Sequence, residues 1–430
     1  MATYLLNASV YRGGGEFDDT ATVVIDGGKI KSVGQAAPPK GVKTADFSLL
    51  RAAYQEWYDG PVTPLPKAGH PAKRPSAPSL GEIAIDCGGL RLYPGLIDPH
   101  THVSVFEDGA GPVAAHGNEM TDPNTAQLDI RDSIYPHDLA IADAQRAGIT
   151  VCCILPGSGN LIGGMVCIVK LYGRTVDEMM LVERHALKMA LGENPYRAYG
   201  AKGKAPSTRF GNAGEVRAAF DEALHYAAKH DAWHKKSAAD KAKEPFQRNR
   251  KLENIAGAIR GEYPVRYHAH RTDDIYTALR LSREFGFCLI LEHGTEGFKI
   301  ANVIAEAGVP VTVGPVLTSR VKYELRERTT ALAGELYRAG VQIAIQTDHP
   351  VLPIQTLPLA AAVAVKDGLP EEAAVDCMTL NAAKILGIDK RTGSLEKGKD
   401  ADLFLADGDV LDPRHHVLAT LIDGFCVYGG

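Results

Sequence analysis

The sequence predicts an α/β protein, a (β/α)8 barrel beside a small β domain built from both ends of the chain. Three observations carry this. From residue 96 onward, short apolar runs alternate with amphipathic segments, the texture of parallel architecture. Eight such runs fall within roughly 250 residues, the count and length of a closed barrel. The two ends share a different style, short β-branched strands broken by Gly and Asp-Gly turns.

The elements follow in order. TYLLNASVY and ATVVIDGGKIKSVG read as hairpins, and IAIDCGGLRLYPG (83–95) continues them. Residues 36–82 interrupt the pattern with a stretch rich in Pro, Lys and Gly that encloses a short helix, FSLLRAAYQEWY. It reads as a surface excursion with an anchoring helix, or as a lid or subunit contact, because Tyr54, Trp57 and Tyr58 cluster on one element. The barrel strands expected next are LIDPHTH, ITVCCIL, GMVCIVKLY, LKMALGE, PVRYHAH, CLILEHG, VPVTVGP and VQIAIQTD. An open doubly wound sheet would need a phosphate loop. The one candidate, GSGNLIGG (157–164), lacks the spacing and downstream acid of a dinucleotide fingerprint. The charged run 229–251 reads as a solvated helix face. After residue 396 the strand style of the N-terminus returns, so the expected division is 1–93, 94–392 and 393–430.

Composition narrows the function classes. The chain has 430 residues, 45 % hydrophobic and 23 % charged, with a net charge of −5, which gives no electrostatic case for nucleic acid or anionic membrane. No apolar stretch is long enough to span a bilayer, and the N-terminus lacks the pattern of a secretory signal. Seven cysteines, an odd number spread through apolar runs, form no disulfide framework, so a cytoplasmic protein is expected.

In a barrel the C-terminal ends of the strands converge on one mouth. Here those ends carry His100 and His102, Lys170, Glu193, His268 and His270, His293, and Asp348. A single histidine in an apolar strand is ordinarily a core residue. Five strand ends each delivering a histidine or an acid to one edge point instead to a divalent ion. Residues i and i+2 of a strand share a face, so His100 and His102 can reach one ion together. Asp348 ends an apolar strand, where an unpaired carboxylate is costly.

PGLIDPHTH (94–102), HAH (268–270), EHG (292–294), TDHP (347–350) and GSLEKGKDADL (393–403) resemble the amidohydrolase superfamily, in the branch related to imidazolonepropionase and metal-dependent prolidases. The resemblance covers the chain except 36–82. It implies a distorted (β/α)8 barrel with a β-sandwich formed by both termini, and a small-molecule substrate hydrolysed at a C–N bond of an amide, cyclic amide or dipeptide. It also implies a homo-oligomer and one or two divalent ions, zinc foremost. His100, His102, His268 and His293 match the ligand positions. Asp348 matches the acid that binds metal and moves the proton of the attacking water. Members with two ions need a bridging carboxylate. Glu193 is the favoured candidate, and Lys170, once carboxylated, is the alternative. His270 is expected to orient a neighbouring ligand, and His349 to pack or bond the backbone. Arg271 and Arg320 are candidates to clamp a substrate carboxylate. Two other readings stay open, a deaminase of an amidine-type or heterocyclic substrate and a non-catalytic scaffold.

Overall fold

The computed structural model describes residues 2–66, 74–76 and 82–429. The described chain forms two sheets. Strands β1 (Ala2–Gly13), β2 (Glu16–Asp26), β3 (Lys29–Gly34), β4 (Lys43–Thr44), β5 (Ile83–Asp86) and β6 (Arg91–Pro94) precede the barrel. The barrel strands are β7 (Leu96–Thr101), β8 (Ile149–Ile154), β9 (Ile162–Lys170), β10 (Met180–Ala190), β11 (Val265–Ala269), β12 (Leu289–His293), β13 (Val311–Val313) and β14 (Ile343–Ile345). Strands β15 (Leu403–Ala406), β16 (Val417–Ile422) and β17 (Phe425–Gly429) return to the first sheet.

The terminal sheet runs β17-β16-β15-β6-β1-β2-β3. The first half of β1 also pairs in parallel with β5, and its second half pairs with β6. The sheet thereby folds over a core of its own, made by Leu5, Val10, Val23, Ile85, Leu92, Leu403 and Leu421. Its other face joins the barrel through Tyr93, Phe404 and Phe425. The helix Phe47–Asp59 starts on Asp46, whose carboxylate accepts from Ser48 N, and it sets Tyr54 and Trp57 against Phe425. Arg174 fastens its end by donating to the carbonyls of Trp57, Gly60 and Pro61. The excursion therefore anchors itself on the terminal sheet. Part of 36–82 lies outside the described residues.

The barrel strands follow chain order around the sheet. All neighbouring pairs are parallel except those of β9, which runs antiparallel to both β8 and β10. This departs from the uniform direction expected, and it moves Lys170 to the end opposite the mouth. Main-chain bonds close the mouth between the first and last strands, with His102 N donating to His349 O at 2.9 Å and Asp348 N to His100 O at 3.1 Å. Inside, the far end is apolar, with Ile97, Val151, Ile168, Ala186, Ile290 and Ala344 packed on Ala382 and Ala383 of the helix Leu380–Ile385. Toward the mouth the lining turns polar, with Lys188, Arg266, Glu292 and Thr312 all fully buried. Among the described residues no helix is long and apolar enough to cross a membrane.

Candidate metal centre

Strand alternation delivers most of the site. On β11, Val265, Tyr267 and Ala269 pack outward into the core, so Arg266 and His268 face the lumen, followed by His270 just past the strand. On β12 the same alternation points Ile290 and Glu292 inward and would turn His293 out. His293 instead adopts a left-handed backbone, φ 69°, which breaks the alternation and brings its ring back over the mouth. Asp348 also sits in that region, at φ 56°. Such conformations in non-glycine residues cost on the order of 1–3 kcal/mol and persist only where their surroundings fix them. Gly314 makes room for this corner. At φ 154°, any Cβ there would come within 2.2 Å of Gln346 O.

The side chains converge in two adjoining groups. His102 Nε2 lies 3.1 Å and His100 Nε2 3.5 Å from Asp348 Oδ1. His268, His270 and His293 offer nitrogens within 4.8 Å of one another. The groups touch, since the rings of His100 and His293 are 4.9 Å apart.

Each imidazole is held from behind by its Nδ1. His102 Nδ1–H donates to Leu155 O at 2.8 Å, and His293 Nδ1–H to Gly314 O at 2.8 Å. His100 Nδ1 meets the Glu292 carboxylate, His268 Nδ1 meets Ser158 Oγ at 2.9 Å, and His270 Nδ1 meets Thr295 Oγ1 at 2.7 Å. Carbonyl and carboxylate acceptors fix the proton on Nδ1 and leave the Nε2 lone pair free for a cation. The Nε2 atoms of His100 and His268 are buried and have no hydrogen-bond partner among the described residues. Burial also keeps four of the rings neutral: it carries His293 down to about 3 and holds His102, His268 and His270 below the ordinary histidine range. Burial alone would raise the Asp348 carboxyl, but the imidazoles of His100, His102 and His293 around it outweigh this and hold it well below the usual range. Neutral imidazoles and an ionised carboxylate are the protonation states that bind a divalent ion.

The remaining sequence candidates fare differently. Lys170 does not reach the mouth. Its ammonium is buried at the opposite end, 2.7 Å from Asp400, 2.9 Å from Asp402 and bonded to Asp423, because β9 runs backwards. Those three carboxylates have the spacing of a cation site, and the lysine already fills it. The lysine at the mouth is Lys188 on β10, which the sequence reading passed over. It is fully buried, its Nζ has no hydrogen-bond partner among the described residues, and burial brings it down to about 8. A lysine inside the apolar run LKMALG was the signal available.

Glu193 opens the helix Glu193–Gly200, and its carboxylate turns toward Arg197 and the main-chain N of Glu324 rather than toward the imidazoles. The His270 ring stacks on that of His293 and belongs to the same group of nitrogens. Arg271 pairs with Asp273, and Arg320 donates to the carbonyls of Arg326 and Arg328 in its own loop. The main-chain carbonyl of His349 accepts from His102 N, and its ring is buried.

Comparison with known proteins decides the family. The amidohydrolase family model matches residues 91–428. The chain belongs to the amidohydrolase family. A solved amidohydrolase from Thermotoga maritima MSB8 is 36 % identical over the whole of both chains, with a TM-score of 0.86. The amidohydrolase tasK of Hapsidospora irregularis is 28 % identical over 80 % of this chain, which spans only 37 % of that protein's length. An imidazolonepropionase from Mesorhizobium japonicum is 26 % identical over 79 % of this chain and 83 % of its own. A prolidase solved with N-methylphosphonate-L-proline, 18 % identical with a TM-score of 0.57 and full coverage of both chains, shares the fold. As an amidohydrolase, the chain has the barrel and appended terminal sheet that its sequence implied.

Proposed function

We propose that this amidohydrolase cleaves a C–N bond of an amide, cyclic amide or dipeptide-like small molecule, using divalent metal held at the barrel mouth. One observation carries the reading: five buried imidazoles, each held at Nδ1, turn Nε2 toward the same space as the Asp348 carboxylate. His100, His102 and Asp348 would hold one ion, and His268 and His293 a second, with zinc foremost from the nitrogen-rich donor set. A divalent ion bound there brings a water toward neutral pKa and polarises the scissile carbonyl.

The chain's own residues then do the rest. Asp348, ionised and in contact with His100 and His102, is placed to take the proton of the attacking water and pass it to the leaving nitrogen. Glu292 fixes the His100 ring while bonded to Arg266, so the ligand cannot rotate as charge changes beside it. Of Lys170 and Lys188, it is Lys188 whose carboxylated side chain would face the ions.

The test is metal removal and return. Chelation should abolish hydrolysis across a panel of amides, cyclic amides and dipeptides, and zinc should restore it. A panel that stays silent with a metal-loaded protein would refute the reading, and release of ammonia from a heterocycle would redirect it to a deaminase.

A further inference from the structure

Glu324 stands out among the described residues because no strand pattern points to it. It lies in the loop after β13, in KYELRE, yet its carboxylate is fully buried beside the imidazole cluster. Its two oxygens are used differently. Oε2 accepts from the main-chain N of Glu193 at 3.0 Å, at the start of the helix Glu193–Gly200. The approach needs Gly192, at φ 85°, where a Cβ would stand 2.4 Å from that oxygen. Glu193 returns the bond by accepting from Glu324 N at 3.3 Å. Oε1 is left pointing at the histidines, 3.7 Å from His268 Nε2 and 3.7 Å from His270 Nε2.

A tetrahedral zinc with bonds of about 2.05 Å has ligand atoms about 3.3–3.4 Å apart. The two distances from Glu324 are within a few tenths of an ångström of that edge. The same holds for Asp348 with His100 and His102, at 3.5 and 3.1 Å. The mouth thus contains two triads of one kind, each a pair of histidines spaced i, i+2 and a carboxylate from elsewhere in the barrel. Lys322 Nζ lies 2.7 Å from Glu324 Oε1 and stands where it would compete with a cation.

We propose that Glu324 and His270 join His268 and His293 in the second divalent-cation site, beside the one made by His100, His102 and Asp348. It rests on the reading that the mouth binds metal. In this arrangement His270 is a ligand and Glu193 is a positioning residue, which holds the Glu324 carboxylate without touching the ion. The second ion then draws its carboxylate from the seventh strand's loop.

Equilibrium dialysis of the metal-stripped full chain against zinc alone, with metal counted per chain, tests this. Wild type should take up two ions. Glu324→Gln and His270→Asn should weaken one of them by at least about tenfold, the lower end for disturbing a metal's surroundings, and Asp348→Asn should weaken the other. Lys322→Met removes the competing ammonium and should tighten the second ion, an effect that unfolding cannot imitate. It therefore decides the matter if Glu324→Gln fails to fold. Two ions held with unchanged affinity in Glu324→Gln and His270→Asn would overturn the site, as would Lys322→Met binding no more tightly than wild type. A wild type with one ion that Glu324→Gln keeps would overturn it while leaving the metal reading intact. A wild type that binds none would bring down both.

Discussion

Replacing Lys170 by methionine separates the two roles this residue has been given. Lys170 is buried without exposure, and it sits against Asp400 and Asp402, which are 1 % and 0 % exposed, and Asp423, which is 15 % exposed. Its removal leaves three carboxylates in low dielectric with, among the described residues, only Lys29, Arg391 and Arg74 at the margins. Breaking a buried ion pair from one side costs about 3–5 kcal/mol. With about 2.1 cal/mol/K per residue of unfolding entropy, a chain of 430 residues loses about 3–6 °C in Tm. The loss also has a pH signature. Burial would raise the Asp400 carboxyl, but Lys170 outweighs it and brings it to about 2, below its unfolded value near 3.8. In the wild type that stabilisation is present above about pH 4 and fades as pH falls toward 2. Without the lysine the carboxylates are costly when ionised, so the gap in Tm between the two proteins should narrow from pH 7 toward pH 4. Scanning calorimetry across that range, with metal counted on the same samples, is the assay. A Lys170→Met protein that keeps its Tm but loses metal would refute this placement of the lysine. Lys188→Met is the converse, and is expected to change metal uptake at the mouth.

Asp348→Asn should lower kcat by about 10²–10⁴, the range for removing a general acid–base group, while metal at His268 and His293 is retained. Steady-state rates with a metal count check it, and a near-normal kcat would exclude Asp348 from proton transfer. Glu292→Gln should weaken metal retention about 10- to 100-fold, because His100 loses the carboxylate that orients it. Competition with a chelator on protein shown to be folded measures this, and unchanged retention would refute it. The metal-free protein should be acid-sensitive through His185 and His293, which burial brings to about 3. The unfolded chain takes up protons below about 6.5, so each buried ring costs about 2 kcal/mol by pH 5. Denaturant titrations at pH 7 and pH 5 should show that loss, and equal stabilities would argue against buried neutral rings.

Much of the fold was legible because each strand carries a local pattern, an apolar run, and most of these runs end in a donor. That pattern located all eight barrel strands and the five histidines and one acid that meet at the mouth. Direction is not written locally. GMVCIVKLY reads alike run either way, so the reversal of β9 was invisible and with it the true place of Lys170. Lys188 was hidden for a related reason, standing two residues inside the run where only the lumen's polar lining explains a charge. Glu324 could not have been found at all by strand ends, since it comes from a loop and owes its position to Glu193 and Gly192. Arg271 and Arg320, suitable in type for a clamp, are bound to neighbours within a few residues.

The terminal sheet has a consequence for the order in which the molecule assembles. β6 pairs with β1 on one side and with β15 on the other, joining Pro94 to Leu403 across the whole barrel. Closing an unstructured loop of that length would cost about 5 kcal/mol in chain entropy before any contact rewards it. A folded barrel removes most of that cost by holding its own ends together. The last three strands should therefore become protected from hydrogen exchange only after β11 and β12, an order that pulse labelling during refolding would reveal. Protection of β15 first would mean that the ends meet unaided.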